Sequence, residues 1–223
     1  NEGKTSVSFQ LALSVAEGGK RVVLVDADLR KSVLKGRYKT NASRYGLSHY
    51  LSGQASIADV TCKTNIENFY VIFSGPVPPN PSELLGNDAF RLLLEYLRNE
   101  YDYVIVDTPP LGSVIDGAVA AQYCDGTVVV IESGSISYKF AQKVKEQLEK
   151  VDCRILGVIL NKVNMSGKGY YGAYYGKYYG KYYGKYYGGN EEGGLHSAVV
   201  QKGLKPVKAG QKQEENGSGL KGH

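Results

Sequence analysis

The chain has 223 residues, 42% of them hydrophobic, which suits one sizeable α/β domain with a tail. Its formal net charge of +5 is unevenly spread: residues 1–165 hold 18 basic and 18 acidic side chains, and the surplus of 9 Lys over 4 Glu lies in residues 166–223 with 15 of the 28 glycines. Cys62, Cys124 and Cys153 form neither a C-x-x-C pair nor a metal-ligand spacing with the histidines, no signal peptide is visible, and no apolar run approaches the roughly 18 residues of a bilayer span. The expectation is a soluble chain from a reducing compartment that begins inside a motif, so that an upstream membrane segment would go unseen.

Residues 5–17 predict a helix, with Leu11 and Val15, and Ala12 and Ala16, at i,i+4 spacing; Gly18-Gly19 end it before the β-branched run Val22–Val25. Residues 38–82 are irregular and hold Pro76, Pro78, Pro79 and Pro81, which predicts loops, a short strand at Tyr70–Phe73 and one surface excursion. After Asn87, the spacing of Phe90, Leu93, Leu94 and Leu97 predicts an amphipathic helix leading into the strand Tyr103–Val106. Thr127–Ile131 is a further apolar run, Ala141, Val144, Leu148 and Val151 make another helical stripe, and Ile155–Leu160 is a last strand. Continuous apolar strands alternating with helices predict an α/β fold with a mostly parallel, doubly wound sheet covered on both faces. Residues 166–189 then repeat Tyr-Tyr-Gly, with Tyr170, Tyr171, Tyr174, Tyr175, Tyr178, Tyr179, Tyr182, Tyr183, Tyr186 and Tyr187. A Gly every fourth residue weakens helix by about 1 kcal/mol each, so this Tyr/Gly-rich tail and residues 190–223 are expected to be disordered.

Three segments carry chemistry. Glu2-Gly3-Lys4-Thr5-Ser6 has the form of the second half of a Walker A loop, G-x-x-x-x-G-K-[ST], whose first Gly would lie upstream of Asn1. In such a loop Gly3 lets the backbone approach phosphate, Lys4 reaches the β- and γ-phosphates, Thr5 offers its hydroxyl to Mg²⁺, and the next helix points its N-terminus at the anion. The apolar run Val22–Val25 ends in Asp26 and Asp28, two carboxylates at i and i+2 and so on one side of a strand end; such a pair is costly unless a cation or a transferable proton shares the site. Tyr103–Val106 ends in Asp107, the form of a Walker B segment whose acid holds Mg²⁺ directly or through water. Three such sites in this chain order predict binding of nucleotide phosphate and Mg²⁺.

The middle segment, V-D-A-D-L-R at 25–30, resembles the A′ motif of the bacterial tyrosine kinases, the P-loop NTPase family that phosphorylates itself and helps control exopolysaccharide export. The resemblance extends over Gly3-Lys4-Thr5, Ser74-Gly75 followed by P-P-N-P-S-E-L-L at 78–85, V-D-T-P-P at 106–110, and the Tyr-rich C-terminus. It implies an ATP-dependent protein tyrosine autokinase in which Asp26 is the base for the tyrosine hydroxyl, Asp28, Asp107 and Thr5 organise Mg²⁺, Lys4 neutralises phosphate charge, and Glu2, Gly3, Ser6 and Asn161 line the ATP site, Asn161 near adenine. It further implies a domain at 1–165 truncated inside Walker A and lacking a central strand, a tail at 166–189 whose ten tyrosines are phosphorylated between subunits, and an extension at 190–223. The implied partners are a membrane-embedded activator or polysaccharide chain-length protein, other copies of the chain, and a cognate phosphotyrosine phosphatase, at the cytoplasmic face of the plasma membrane. Asn1, where related loops carry Gly, and Ser32, where the family often has Pro, depart from the pattern.

Two other functions compete. A partition or division-site ATPase would share the P-loop and switch between monomer and dimer without phosphorylating protein; the membrane-binding members end in an amphipathic helix, and residues 190–223 lack the 3.6 periodicity of one. A non-enzymatic binder could use the tail against nucleic acid, but four Lys and no Arg between Ser166 and Gly189 give too weak a phosphate footprint, so nucleic acid is not an expected partner.

Overall fold

The protein is described from a computed structural model, which covers residues 2–37, 44–163 and 205–206. Strand β1 (Val22–Asp26) is its hub: all five residues are buried. It pairs in parallel with β3 (Phe69–Ile72) on one side and with β4 (Tyr103–Asp107) on the other. Successive side chains of a strand point to opposite faces, so β1 feeds two cores. Val23 and Val25 pack with Phe90, Leu93 and Leu97 of α6 (Asp88–Glu100), while Val22 and Leu24 pack with Phe9, Ala12 and Ala16 of α1 (Lys4–Glu17). This is the doubly wound arrangement that continuous apolar runs predict.

The buried stripe of α1 is Phe9, Ala12, Leu13 and Ala16, and Leu11 points outward at 47% exposure. Val15 is half-buried against the same core; the alanines let the helix approach the sheet closely, and the Phe9 ring fills the remaining space against Phe69, 5.2 Å away between centroids. Helix α6 follows its predicted stripe and is capped by the Asn87 side chain, which accepts the Phe90 N–H.

Residues 44–85 are more ordered than the irregular sequence suggests. They hold α3 (Leu47–Leu51), α4 (Ile57–Val60), the antiparallel strand β2 (Thr61–Lys63) and α5 (Pro81–Leu85), after the short α2 (Leu34–Arg37). Such elements are too short for periodicity to reveal. Pro81 opens α5 at a position where the missing N–H costs nothing. The two residues of β7 (Lys205–Pro206) pair with β2, so the sheet order is β4-β1-β3-β2-β7. The expected tyrosine tail and the rest of 190–223 lie outside the described residues.

Beyond α7 (Asp116–Ala121), β5 (Thr127–Glu132) pairs in parallel with β6 (Ile155–Asn161), and α8 (Tyr138–Glu149) packs over them through Leu148. This pair is a separate two-stranded sheet: among the described residues no strand bridges β4 and β5. A cavity of about 1120 Å³ lies between them, with Glu2 and Lys4 at its rim. Its presence explains why β4 and β5, which read as buried runs, are half-exposed along much of their length. No described helix is long and apolar enough to cross a membrane.

Phe90 is fully buried between α6 and β1 and meets the Tyr123 ring edge-on. Phe90→Ala is expected to lower the free energy of unfolding by about 3–5 kcal/mol, read from urea denaturation with an unchanged m-value.

Candidate nucleotide-binding site

Gly3 precedes α1 with a φ of 92°, a left-handed conformation that favours glycine, and a Cβ there would press on the terminal amide of Asn161. The turn delivers α1 with no side-chain N-cap and no acidic residue in its first turn. Its first amide groups and the positive end of its dipole are consequently available to an anion. The turn is tied at two points: Asn161 Nδ2 donates to the Glu2 carbonyl at 2.8 Å, and Glu2 Oε1 accepts the Lys4 ammonium at 2.5 Å. Burial alone would raise the Glu2 carboxyl, but the Lys4 contact and backbone bonding hold it at about 2.

The strand register does the rest. Parallel pairing sets Asp26 opposite Asp107 at the carboxyl ends of β1 and β4, and the Ala27 N–H closes the junction on the Asp107 carbonyl at 2.7 Å. Both carboxylates are buried. Burial, reinforced by repulsion from Asp107, pushes Asp26 up to about 6 even though Ser32 Oγ donates to it at 2.5 Å and the Ser74 amide also bonds it. Burial likewise raises Asp107, opposed by hydrogen bonds from Thr5 and from Ser8, whose Oγ donates at 3.1 Å. Asp28 caps its own turn, Oδ1 accepting the Arg30 and Lys31 amides at 3.2 and 2.9 Å.

Of the expected site residues, then, the structure gathers Glu2, Gly3, Lys4, Thr5, Asp26, Asp107 and Asn161 around the start of α1, sets Ser6 in its first turn, and holds Asp28 on the adjoining loop. Asn161 is committed to the Glu2 turn and to the Lys162 amide. The sequence did not single out Ser8, named Ser74 only as part of the family resemblance without a role at the site, and treated Ser32 only as a departure. Ser8 could have been found one helical turn after Lys4; Ser32 and Ser74 reach Asp26 through folding alone. The ten repeat tyrosines lie outside the described residues.

Two buried like charges beneath a helix N-terminus suit a divalent cation held between protein and phosphate. Among the described residues no three His, Cys, Asp or Glu side chains form a metal cage.

The sheet, the glycine turn feeding α1 and the acids at adjacent strand ends define a P-loop nucleotide-binding domain. A family model described as an AAA domain matches residues 2–157. Tyrosine-protein kinase CpsD of Streptococcus agalactiae is 47% identical over 165 residues, which cover 74% of this chain and 72% of that protein, and YwqD of Bacillus subtilis, also named a tyrosine-protein kinase, is 37% identical over 174 residues, 77% and 73%. The kinase domain of the Escherichia coli tyrosine kinase ETK superposes with a TM-score of 0.72 at 37% identity, over 77% of this chain and 67% of that one. The cell division ATPase MinD of Pyrococcus furiosus shares the fold at a TM-score of 0.62 and 24% identity, over 76% and 70%. The chain belongs to the bacterial tyrosine kinases of the P-loop class.

The native fold holds the Asp26 proton more tightly than the unfolded chain does, because the carboxyl sits near 6 when folded against an ordinary 3.8. The stability from this group is complete below pH about 4 and is lost as pH rises through about 6. In metal-free buffer Asp26→Asn is therefore expected to be more stable than the parent above pH 6, by about 3 kcal/mol from the size of the shift, and to show no such advantage near pH 3.5. Thermal melts of both proteins across that range check it.

Proposed function

We propose that the chain is an ATP-dependent protein tyrosine autokinase regulating exopolysaccharide or capsule synthesis and export. The observation that carries this reading is the register pair Asp26–Asp107 lying beneath the α1 N-terminus beside Lys4 and Thr5. The family membership, and the tyrosine-protein kinases among its relatives, support it. In this reading the Lys4 ammonium and the first amides of α1 bind the β- and γ-phosphates. Thr5, Asp107 and Asp28 hold Mg²⁺, and Asn161 borders the adenine. When bound, Mg²⁺ supplies neutralisation of the phosphate charge that grows in the transition state. Asp26 orients the tyrosine hydroxyl and accepts its proton as the Tyr Oη–P bond forms and the bond from phosphorus to the ADP oxygen breaks. A carboxyl whose ordinary acidity is weakened by burial is suited to that work near neutral pH.

The substrate is the tyrosine repeat of a neighbouring copy. Each phosphate adds about −1.5 to −2 charge, so even three would outweigh the four Lys of 166–189 and reverse the sign of the segment. That reversal would loosen subunits whose tails occupy one another's sites. The proposed partners are a membrane-embedded activator, which would bring the chain to the cytoplasmic face of the plasma membrane, and a phosphotyrosine phosphatase that resets the tail.

Incubation with ATP and Mg²⁺ followed by a phosphotyrosine blot tests the activity. Mixing Lys4→Met chains bearing an intact tail with active chains whose ten repeat tyrosines are Phe is expected to label the Lys4→Met chain. No label there, while the unsubstituted protein labels itself, would refute transfer between subunits. Asp28→Asn is expected to raise the Mg²⁺ requirement for nucleotide binding, whereas Asp26→Asn slows turnover with near-normal nucleotide affinity; equal metal dependence in the two variants would remove this division of roles.

A further inference from the structure

The A′ motif contributes Asp26 and Asp28 to the site, but its last residue, Arg30, has no role in the proposed chemistry. Its guanidinium turns away to a second cluster. Nε donates to Asp116 Oδ2 at 2.7 Å and Nη2 to Asp116 Oδ1 at 3.0 Å, a two-pronged pairing with strong geometric preference. Ser82 Oγ donates to the same Oδ1 at 2.6 Å and accepts from Arg30 Nη2 at 3.0 Å. Asp116 is completely buried, and although burial opposes its charge, Arg30 and Ser82 hold its carboxyl below the ordinary value. Three segments distant in sequence therefore meet at one carboxylate: the loop after β1, α5 within P-P-N-P-S-E-L-L, and the first turn of α7.

The same end of α7 also bears on the other acid. A Cβ on Gly117 would lie 3.1 Å from Thr108 Oγ1, and Thr108 directly follows Asp107. The Arg30 backbone amide, for its part, bonds Asp28 Oδ1. The start of α7 thus grips the loop carrying Asp28 through Arg30 and packs against the segment that continues from Asp107. A metal ion shared by two loops is sensitive to their separation, and partners that only orient the ligands are worth a substantial share of its affinity.

We propose that Asp116, assisted by Ser82, is a positioning residue for the metal site: by anchoring Arg30 it holds the Asp28 turn at a set distance from Asp107, although neither Asp116 nor Ser82 touches metal or nucleotide. The proposal rests on the reading of Asp28 and Asp107 as Mg²⁺-organising residues.

The test uses the full chain, binding of a fluorescent ATP analogue with and without Mg²⁺, and amide hydrogen exchange. Asp116→Asn is expected to raise the Mg²⁺ concentration for half-maximal binding on the order of tenfold and to leave Mg²⁺-free affinity within about twofold. Ser82→Ala shifts it less in the same direction. Exchange at the Arg30 and Lys31 amides should accelerate while that of β1 and β4 stays unchanged. Removing the cation from a buried carboxylate can unfold a protein, so the paired change Arg30→Met with Asp116→Leu, which leaves no uncompensated buried charge, supplies a folded variant without the clamp and is expected to show the same Mg²⁺ shift. An unchanged Mg²⁺ requirement in this pair or in Ser82→Ala, with cooperative melting retained, overturns the proposal. So does an equal loss of affinity with and without Mg²⁺, which would mark a purely structural role. If the unsubstituted chain shows no Mg²⁺-dependent binding, the reading of the metal site itself fails and takes the proposal with it; if only the variants fail to respond, that reading stands.

Discussion

Two carboxylates facing each other at the buried ends of adjacent parallel strands govern this protein. The register of β1 with β4 leaves Asp26 and Asp107 no means of separating, and burial denies them the water that would screen their repulsion. Isolated buried anions are costly, and here each is met by donors from elsewhere: Ser32 and the Ser74 amide for Asp26, Thr5 and Ser8 for Asp107. The donors reduce the cost without removing it, since both carboxyls remain shifted upward. What is left is a site with a standing demand for positive charge, directly under the helix end that offers the most.

The scaffold makes that demand rigid. β1 is buried on both faces and held by a strand on each side, so the acid at its end is placed by the core and not by a surface loop. α1 lies over the same strand through small residues that allow close approach, which sets how near its first turn comes to Asp107. Glycine suits the turn because its φ of 92° lies in the left-handed region, and the Asn161 amide packs where a side chain would begin.

That Asn161 contact also joins the two sheets. β5 and β6 share no strand pairing with the five-stranded sheet, and the open edges of β4 and β5 face a wide cavity. The carboxyl ends of β4 and β6 nevertheless converge on the same turn, Asp107 through Thr5 and Ser8 and Asn161 through the Glu2 carbonyl. Since β5 runs parallel to β6, all of these strands direct their carboxyl ends at the phosphate-binding turn. Open α/β sheets place their ligand sites there.

The sequence by itself determined the long elements and the chemistry at their ends. The stripe Phe90, Leu93, Leu94, Leu97 marked an amphipathic helix, and the apolar runs closing on Asp26 and Asp107 marked strands ending in acids, because periodicity is a local property of the chain; how deeply β4 is buried was not. The i,i+4 spacings of 11–16 correctly marked a helix, but which face is buried was settled by close packing against the sheet, which favours the alanine side of α1. Of the short elements of 44–85, the strand expected at Tyr70–Phe73 is β3, one residue earlier, whereas α3, α4, β2 and α5 were illegible because three to five residues hold too little of any period. Only the tertiary structure decided that Ser32 meets Asp26, that Asn161 closes on the Glu2–Gly3 turn, and that Arg30 and Ser82 meet at the buried Asp116 carboxylate. These pairings span up to 159 positions, and a lone Ser, Asn or Asp carries no pattern that names its distant partner; the strand register and the packing of the two cores choose it.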